Sequence, residues 1–147
     1  MIPTLLFFHI LSAVIWVGGM FFAHQMVRPS VSPLDAPVRL ALWRRIFERF
    51  FAWVWGAVIL LLVTGMGMEM LGVRGLHVTI MESLGVIMVL AFGHLFFAPW
   101  KRFRRAVDAG DFPAAAVQLN QIRRIVEFNL ALGLIVVVVG ATGRYWG

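Results

Sequence analysis

Long apolar segments, separated by short charged ones, run through the whole chain. The charge-free segments cover residues 1–27, 50–68, 83–100 and 128–143. A helix rises 1.5 Å per residue, so about 20 mainly apolar residues cross the roughly 30 Å hydrocarbon core of a bilayer. We therefore expect four membrane-spanning helices, over about residues 3–27, 37–70, 76–109 and 113–143. The pattern predicts an all-α fold, an integral membrane four-helix bundle that forms a single transmembrane domain over 1–147.

Residues that begin and end helices stand where the apolar segments change. Asp35 and Asp111 each stand two residues before a proline, the pattern of an N-cap followed by proline in the first turn. Gly110 is placed to end the third helix, and Gly72 and Gly75 supply the turn between the second and third. The connections between helices are therefore predicted to be short.

Basic residues are distributed unevenly between the two ends of the predicted bundle. Of the 13 lysines and arginines, 11 lie in the segments 28–49 and 101–124, and only Arg74 and Arg144 lie at the other end. The positive-inside rule then places both basic segments in the cytoplasm and the N- and C-termini in the periplasm of a bacterial inner membrane. The net charge of +6 needs no nucleic acid partner, because arginines beside a membrane fix topology and bind anionic lipid.

Composition narrows the chemistry further. The chain is 61% hydrophobic and 14% charged, with a mean hydropathy of +0.89, whereas soluble domains carry about 25% charged residues. This excludes a water-soluble globular enzyme, a disordered tail and a fibrous repeat. Cysteine is absent, which excludes disulfides, Fe–S clusters and thiolate metal sites. Histidines and methionines are then the main candidate metal ligands.

The four histidines all lie in or at the edge of a predicted span, where polar side chains are costly and indicate function. They are His9, His24, His77 and His94. Helices 1 and 3 run in the same direction, with separations of about 22 Å and about 25 Å between the histidines of each. The histidines therefore form an outer layer, His9 with His77, and an inner layer, His24 with His94. Such layers are typical of bis-imidazole ligation of haem b, with one or two haems per chain.

Two alternatives to this pairing of the histidines stay open. A histidine near a helix end often only reaches headgroup water, and His77 fits that description. A single haem, with the other pair structural or active in proton transfer, is the second alternative.

Methionines at the outer end of helix 2 suggest a second kind of site. Met66 and Met70 are four residues apart and so share a helix face, within reach of Met81 and His77. Thioethers suit Cu(I), so these four residues form an alternative copper site. Against this, methionine is also a common lipid-facing and gap-filling residue.

Glu82 is the acidic residue predicted to lie deepest in a span. It stands about one and a half turns into helix 3, where a carboxylate is costly. One interpretation is proton transfer at a quinone or substrate pocket near the outer surface. The other is a side chain that extends to the outer interface.

Several segments resemble the CopD-type copper-resistance membrane family. They are residues 9–20 (HILSAVIWVGGM), Arg28-Pro29, Thr64-Gly65 and residues 119–133 (LNQIRRIVEFNLALG). The chain is also similar, in helix 1 and at Leu76-His77, to the HemJ-type protoporphyrinogen oxidase. That family has a lysine two residues after this histidine, whereas this chain has Thr79. This departure argues against protoporphyrinogen oxidase activity.

The resemblance implies copper import or tolerance, usually alongside a periplasmic copper-binding partner. Related four-helix bundles are haem b proteins that exchange electrons with quinones or soluble donors. We expect an inner-membrane haem b protein that carries out electron transfer or acts as a membrane oxidoreductase, with Glu82 handling protons. The alternatives are Cu(I) transport and a passive anchor for a partner, and the sequence leaves a homodimer open.

Overall fold

The computed structural model describes residues 1–146, and its helices form one bundle. The helices are α1 (Ile2–Val31), α2 (Ala36–Met70), α3 (Leu76–Asp108) and α4 (Phe112–Thr142), with a short 3-10 turn at Gly143–Tyr145. No strand occurs among these 146 residues. Each helix is long and apolar enough to cross a membrane, which confirms the predicted all-α four-helix fold and is consistent with a lipid bilayer around it. We call the end with the turn at residues 71–75 the outer end and the opposite end the basic end.

A π-helical turn interrupts α1 near the basic end. The α-helix Ile2–Phe22 is followed by five π-helical residues, Ala23–Val27, and then by Arg28–Val31. The backbone N–H of Arg28 donates to the carbonyl of Ala23, five residues earlier. Pro29 follows at once, and proline lacks an N–H and collides with the carbonyl four residues before it. The wider turn lets α1 continue past the proline, so the helix extends beyond the predicted end at residue 27.

Proline also divides α3, which the sequence predicted as one continuous helix. Its two parts are Leu76–Phe97 and Pro99–Asp108. Ala98, between them, has φ −120° and ψ −85°, outside the helical region. The ring of a proline disfavours helical geometry in the residue before it. The regular helical backbone is therefore interrupted at Ala98, and both parts of α3 pack on α4.

The turns use the predicted glycines. Gly72, Gly75 and Gly110 have φ values of 89°, 149° and 71°, in the region that side chains disfavour. Asp111 caps α4, because its carboxylate accepts a hydrogen bond from the backbone N–H three residues later. Asp35 stands at the N-cap of α2, but its side chain makes no capping hydrogen bond.

The helices are arranged as a ring. α1 packs mainly on α2 and then on α4, and α3 packs mainly on α4 and only weakly on α2. α1 and α3 therefore occupy opposite corners, and they meet through side chains that cross the core. The rings of Trp16 and Phe92 are an example, with centroids 6.1 Å apart.

The packed core is aromatic and lies toward the basic end. Its buried rings are Trp16, Trp43, Phe47, Phe51, Phe92, Trp100 and Phe103. Phe47 and Phe51 stack with centroids 5.1 Å apart, and Trp100 meets Phe51 edge-on at 5.2 Å. By contrast, no residue of α3 from 76 to 87 is buried. The bundle therefore has a dense base at the basic end and looser packing at the outer end.

Candidate metal site at the outer ends of the helices

His9 is held against α2 by a side-chain hydrogen bond. Its Nδ1 lies 2.8 Å from Oγ1 of Thr64, and the ring is partly buried between the two helices. Gly65 provides space beside the ring, since a Cβ there would lie 3.5 Å from Cε1 of His9. The contact joins the first and second helices near their outer ends.

The hydrogen bonds of Thr64 determine where the proton of His9 lies. The Thr64 hydroxyl has one hydrogen, and it donates that hydrogen to the carbonyl of Leu60 at 2.5 Å. Its oxygen can then only accept from His9, so Nδ1 of His9 carries the ring proton in the neutral form. Nε2 of His9 is then the nitrogen that keeps its lone pair. A neutral imidazole with one nitrogen so anchored is the form that binds metal ions.

His77 and Met81 pack against two glycines near the C-terminal end of the bundle, Gly140 in α4 and Gly143 in the 3-10 turn that follows it. His77 lies directly on Gly143, where any side chain would overlap it. Met81 lies over Gly140, and a Cβ there would be 3.4 Å from its sulfur. Both side chains are partly buried. The missing side chains at these two glycines thus let one imidazole and one thioether of α3 lie close to the end of α4.

The methionines at the outer end of α2 divide between two faces. Met66 and Met70 share a face, as the spacing predicts, but that face is the exterior of the bundle, with exposures of 63% and 85%. Met68 is 9% exposed and faces inward. The structure therefore does not turn Met66 and Met70 toward His77, and their role as copper ligands stays a prediction.

Four possible metal ligands at the outer end have buried or partly buried side chains, and we call these four residues the outer donors. They are His9, Met68, His77 and Met81. One comes from α1, one from α2 and two from α3, so three helices contribute. Within residues 1–146, no three histidine, aspartate or glutamate side chains are grouped to hold a metal ion. Two of the outer donors are thioethers.

The histidines of the predicted inner layer have different surroundings. His24 lies on the π-helical turn, with Nε2 3.7 Å from Oε1 of Glu127 on α4. Arg28 donates to the same carboxylate oxygen at 3.0 Å. His94 is exposed on α3, while Phe92 and Leu95 beside it are buried. The structure therefore does not bring His24 and His94 together.

The core between α1 and α3 is closely packed where its aromatic residues are buried. Trp16 of α1 packs on Phe92 of α3. Among Trp16, Phe51 and Asn129, a cavity of only about 10 Å³ is left, which is about the minimum for one water molecule. Ligation of an inner haem by His24 and His94, and of an outer haem by His9 and His77, stays a prediction.

Glu82 is exposed on the surface of α3, next to the equally exposed Ser83. Its carboxylate makes no hydrogen bond or ion pair with the part of the chain that the structure describes. Its predicted part in proton transfer stays a prediction.

Two features of the outer end were not recognised from the sequence alone. Thr64 was noted only as part of a family motif, although a polar residue inside an apolar run is itself a signal of a buried partner. The inward orientation of Met68 was missed, because Met66 and Met70 share the more familiar spacing.

Asn129 is a third residue whose structural role the sequence did not reveal. It is buried, and its Nδ2 donates to the carbonyl of Met88 at 3.1 Å, which joins α4 to α3.

Comparison with known proteins identifies the family. The family described as "Copper resistance protein D" matches residues 44–142. An uncharacterized protein of Aquifex aeolicus (strain VF5) is 33% identical over 97 residues, a match that spans 65% of this chain and 66% of that protein, just under two thirds of its length. No solved structure matches. With four helices able to span a membrane and this match over most of its length, the chain is a multi-pass inner-membrane protein that belongs to the copper resistance protein D family.

Proposed function

We propose that this protein binds Cu(I) through the outer donors, as a step in moving copper at the inner membrane. The observation that carries the proposal is the anchored imidazole of His9, whose Nδ1–H donates a hydrogen bond to Thr64, so that the lone pair of Nε2 is available to a metal ion. Membership of the copper-resistance family makes copper the metal to consider first.

The chemistry of the outer donors suits Cu(I). Thioether and imidazole groups are soft or intermediate ligands, and soft ligands select Cu(I) over the harder divalent ions. Methionine and neutral histidine are uncharged and release no proton when they bind an ion. The empty site therefore carries no charge at this depth, where a carboxylate would be costly.

The outer end also gives the ion access. α3 has no buried residue between 76 and 87, so the outer donors lie outside the dense aromatic base. If the basic end faces the cytoplasm, as the positive-inside rule predicts, the outer donors face the periplasm. A periplasmic copper-binding partner would then be the source of the ion.

The test is Cu(I) affinity in detergent, measured by competition with a chromophoric Cu(I) chelator under reducing conditions. We expect His9→Ala with Met68→Leu to lower the affinity at least tenfold, because both replaced side chains are outer donors. Met66→Leu with Met70→Leu is the matched control, and we expect it to retain the affinity of the wild type. Equal affinities in all three proteins would contradict the proposal, and loss only in the control would favour the exterior methionines.

A cellular measurement separates copper handling from a passive anchoring role. Cells that express the wild type should differ in copper content and in growth at high copper from cells that express the His9→Ala, Met68→Leu variant at equal level. An anchor that does no copper chemistry would give identical results for both.

The haem b function predicted from the histidine layers is tested on the same preparation. A reduced-minus-oxidised spectrum with a b-type α-band, together with a pyridine haemochrome count near one per chain, would establish haem and overturn the copper proposal as the primary function. Loss of that band in His9→Ala would then assign the outer ligand.

A further inference from the structure

A groove of about 480 Å³ runs along the outside of the bundle between α1 and α2. Ser12 and Ile15 form its wall on α1. On α2 it follows one stripe of the helix, from Arg49 through Gly56 to Leu60. Its volume is within the range of small-molecule pockets, about 300–1,000 Å³.

The groove is open because small residues line its floor. A Cβ on Gly56 would have no atom within 4 Å. Ala52 and Ala57 line the same space, and Trp53, which is 67% exposed, stands at its side. The surface is therefore a channel with one aromatic wall and not a close helix–helix contact.

An arginine without a partner stands at the basic end of the groove. Arg49 is exposed, and it makes no hydrogen bond or ion pair with any described residue. Arg44, less than two turns earlier, contrasts with it, because its Nε lies 2.8 Å from Oδ1 of Asp108 and its Nη1 lies 3.0 Å from Oε2 of Glu48. The charge of Arg49 is thus uncompensated where the apolar part of α2 begins.

The length of the groove matches one leaflet of a bilayer. From Arg49 to Leu60, α2 rises about 16 Å, and half of the hydrocarbon core measures about 15 Å. A positive group at one end and an apolar channel one leaflet deep are complementary to an anionic phospholipid. We propose that the groove binds one such lipid, with its phosphate at Arg49 and an acyl chain lying over Gly56.

A second copy of the chain fits the groove less well. In a two-fold dimer about an axis normal to the membrane, equivalent residues lie at the same depth, and those beside the axis meet each other. A second copy that covers the groove about an axis beside it brings the two Arg49 side chains to the same point. Two Arg49 guanidiniums, neither with an acidic neighbour in the described structure, would then approach each other. An anionic headgroup removes that repulsion.

The experiment is native mass spectrometry of the delipidated wild type, titrated with phosphatidylglycerol or with phosphatidylcholine of the same acyl chains. We expect one phosphatidylglycerol per chain to bind at least fivefold more tightly than phosphatidylcholine. Arg49→Gln should lose about fivefold in phosphatidylglycerol affinity, since one arginine near a membrane surface contributes that order of attraction. Gly56→Leu should lose both lipids, because its side chain begins in open space, where a Cβ has no atom within 4 Å, and occupies the channel.

Two further variants are controls at positions outside the groove, one for the loss of an arginine and one for the added bulk of a leucine. Arg124→Gln removes another exposed arginine at the basic end, and Gly85→Leu fills open space on α3. Both should bind lipid as the wild type does. Equal lipid affinities in Arg49→Gln and Arg124→Gln would overturn the headgroup assignment. A wild-type dimer that becomes a monomer in Gly56→Leu, without a change in bound lipid, would assign the groove to a second copy instead.

Discussion

The Nδ1 atom of His9 and the Oγ1 atom of Thr64 lie 2.8 Å apart, at the contact between α1 and α2. The bond fixes both the orientation of the imidazole and the nitrogen that carries its proton. In the proposed copper site, Thr64 is a positioning residue and Nε2 of His9 is the ligand atom. Partners of this kind, which hold a metal-binding histidine without touching the metal, affect metal affinity by about 10–100-fold.

Replacing Thr64 by valine tests this positioning role. Thr64→Val keeps the shape of the side chain but removes the acceptor, so we expect Cu(I) affinity to fall about tenfold or more. Thr64→Ser keeps the hydroxyl and should retain most of the affinity. Chelator competition measures both variants, and equal affinity in Thr64→Val and the wild type would show that the orientation of His9 does not depend on Thr64.

Gly143 and Gly140 offer a paired test of how α4 places the donors of α3. Gly143→Ala puts a methyl group into His77, so helix α3 must shift and we expect both stability and Cu(I) affinity to fall. Overpacking of this kind costs about 1–3 kcal/mol. Gly140→Ala meets only the flexible end of Met81, 3.2 Å away, and should cost less. Unfolding in a denaturing detergent, followed by tryptophan fluorescence, gives the order, and the reverse order would contradict the packing described.

Two neighbouring glycines in α1 should respond in opposite ways to the same substitution. A methyl group on Gly19 overlaps the ring of Phe50, whereas one on Gly18 has no atom within 4 Å. We expect Gly19→Ala to lower the free energy of unfolding by about 1–3 kcal/mol. Gly18→Ala should change it by less than about 0.5 kcal/mol. Thermal unfolding of both variants in one detergent makes the comparison, and similar losses would show that α1 does not dock on α2 at this register.

Asn129 joins α4 to α3 but leaves one of its own atoms without a partner. Its Nδ2 donates to the carbonyl of Met88, while its buried Oδ1 has no hydrogen-bond partner in the described structure. Interhelical hydrogen bonds in membranes average about 0.6 kcal/mol, and Asn129→Leu also removes an unsatisfied buried acceptor. We therefore expect a net change below about 1 kcal/mol. A loss above about 2 kcal/mol in the same unfolding assay would mean that Oδ1 has a partner, such as a water molecule.

The spans and turns could be predicted because they depend on local sequence. Charge-free segments, proline after Asp111 and glycine at positions 72 and 110 each act on their own stretch of backbone. Which helices pack together depends on how bulky side chains fit, as in the contact between Trp16 of α1 and Phe92 of α3. The prediction that His9 pairs with His77, and His24 with His94, depends on such contacts between α1 and α3 and stays a prediction.

The orientation of a side chain was also hard to predict within a single helix. A soluble helix shows its buried face by contrast with a polar one, but a membrane helix is apolar all round. The spacing of Met66 and Met70 therefore predicts a shared face without showing whether it meets lipid or the interior. Thr64 and Met68 identify the interior face of α2 only because the structure shows what they contact.

The uneven packing of the bundle has a mechanical consequence. Free energies of local opening follow the density of buried contacts, so the amides of residues 76–87 should exchange before those of the aromatic base at Phe47 and Phe51. The basic end is therefore held together by packed aromatic rings, and the outer ends of the helices separate more easily. In the proposed copper function, this looser outer end would let the outer donors close around an incoming ion and release it, while the basic end keeps the four helices in register.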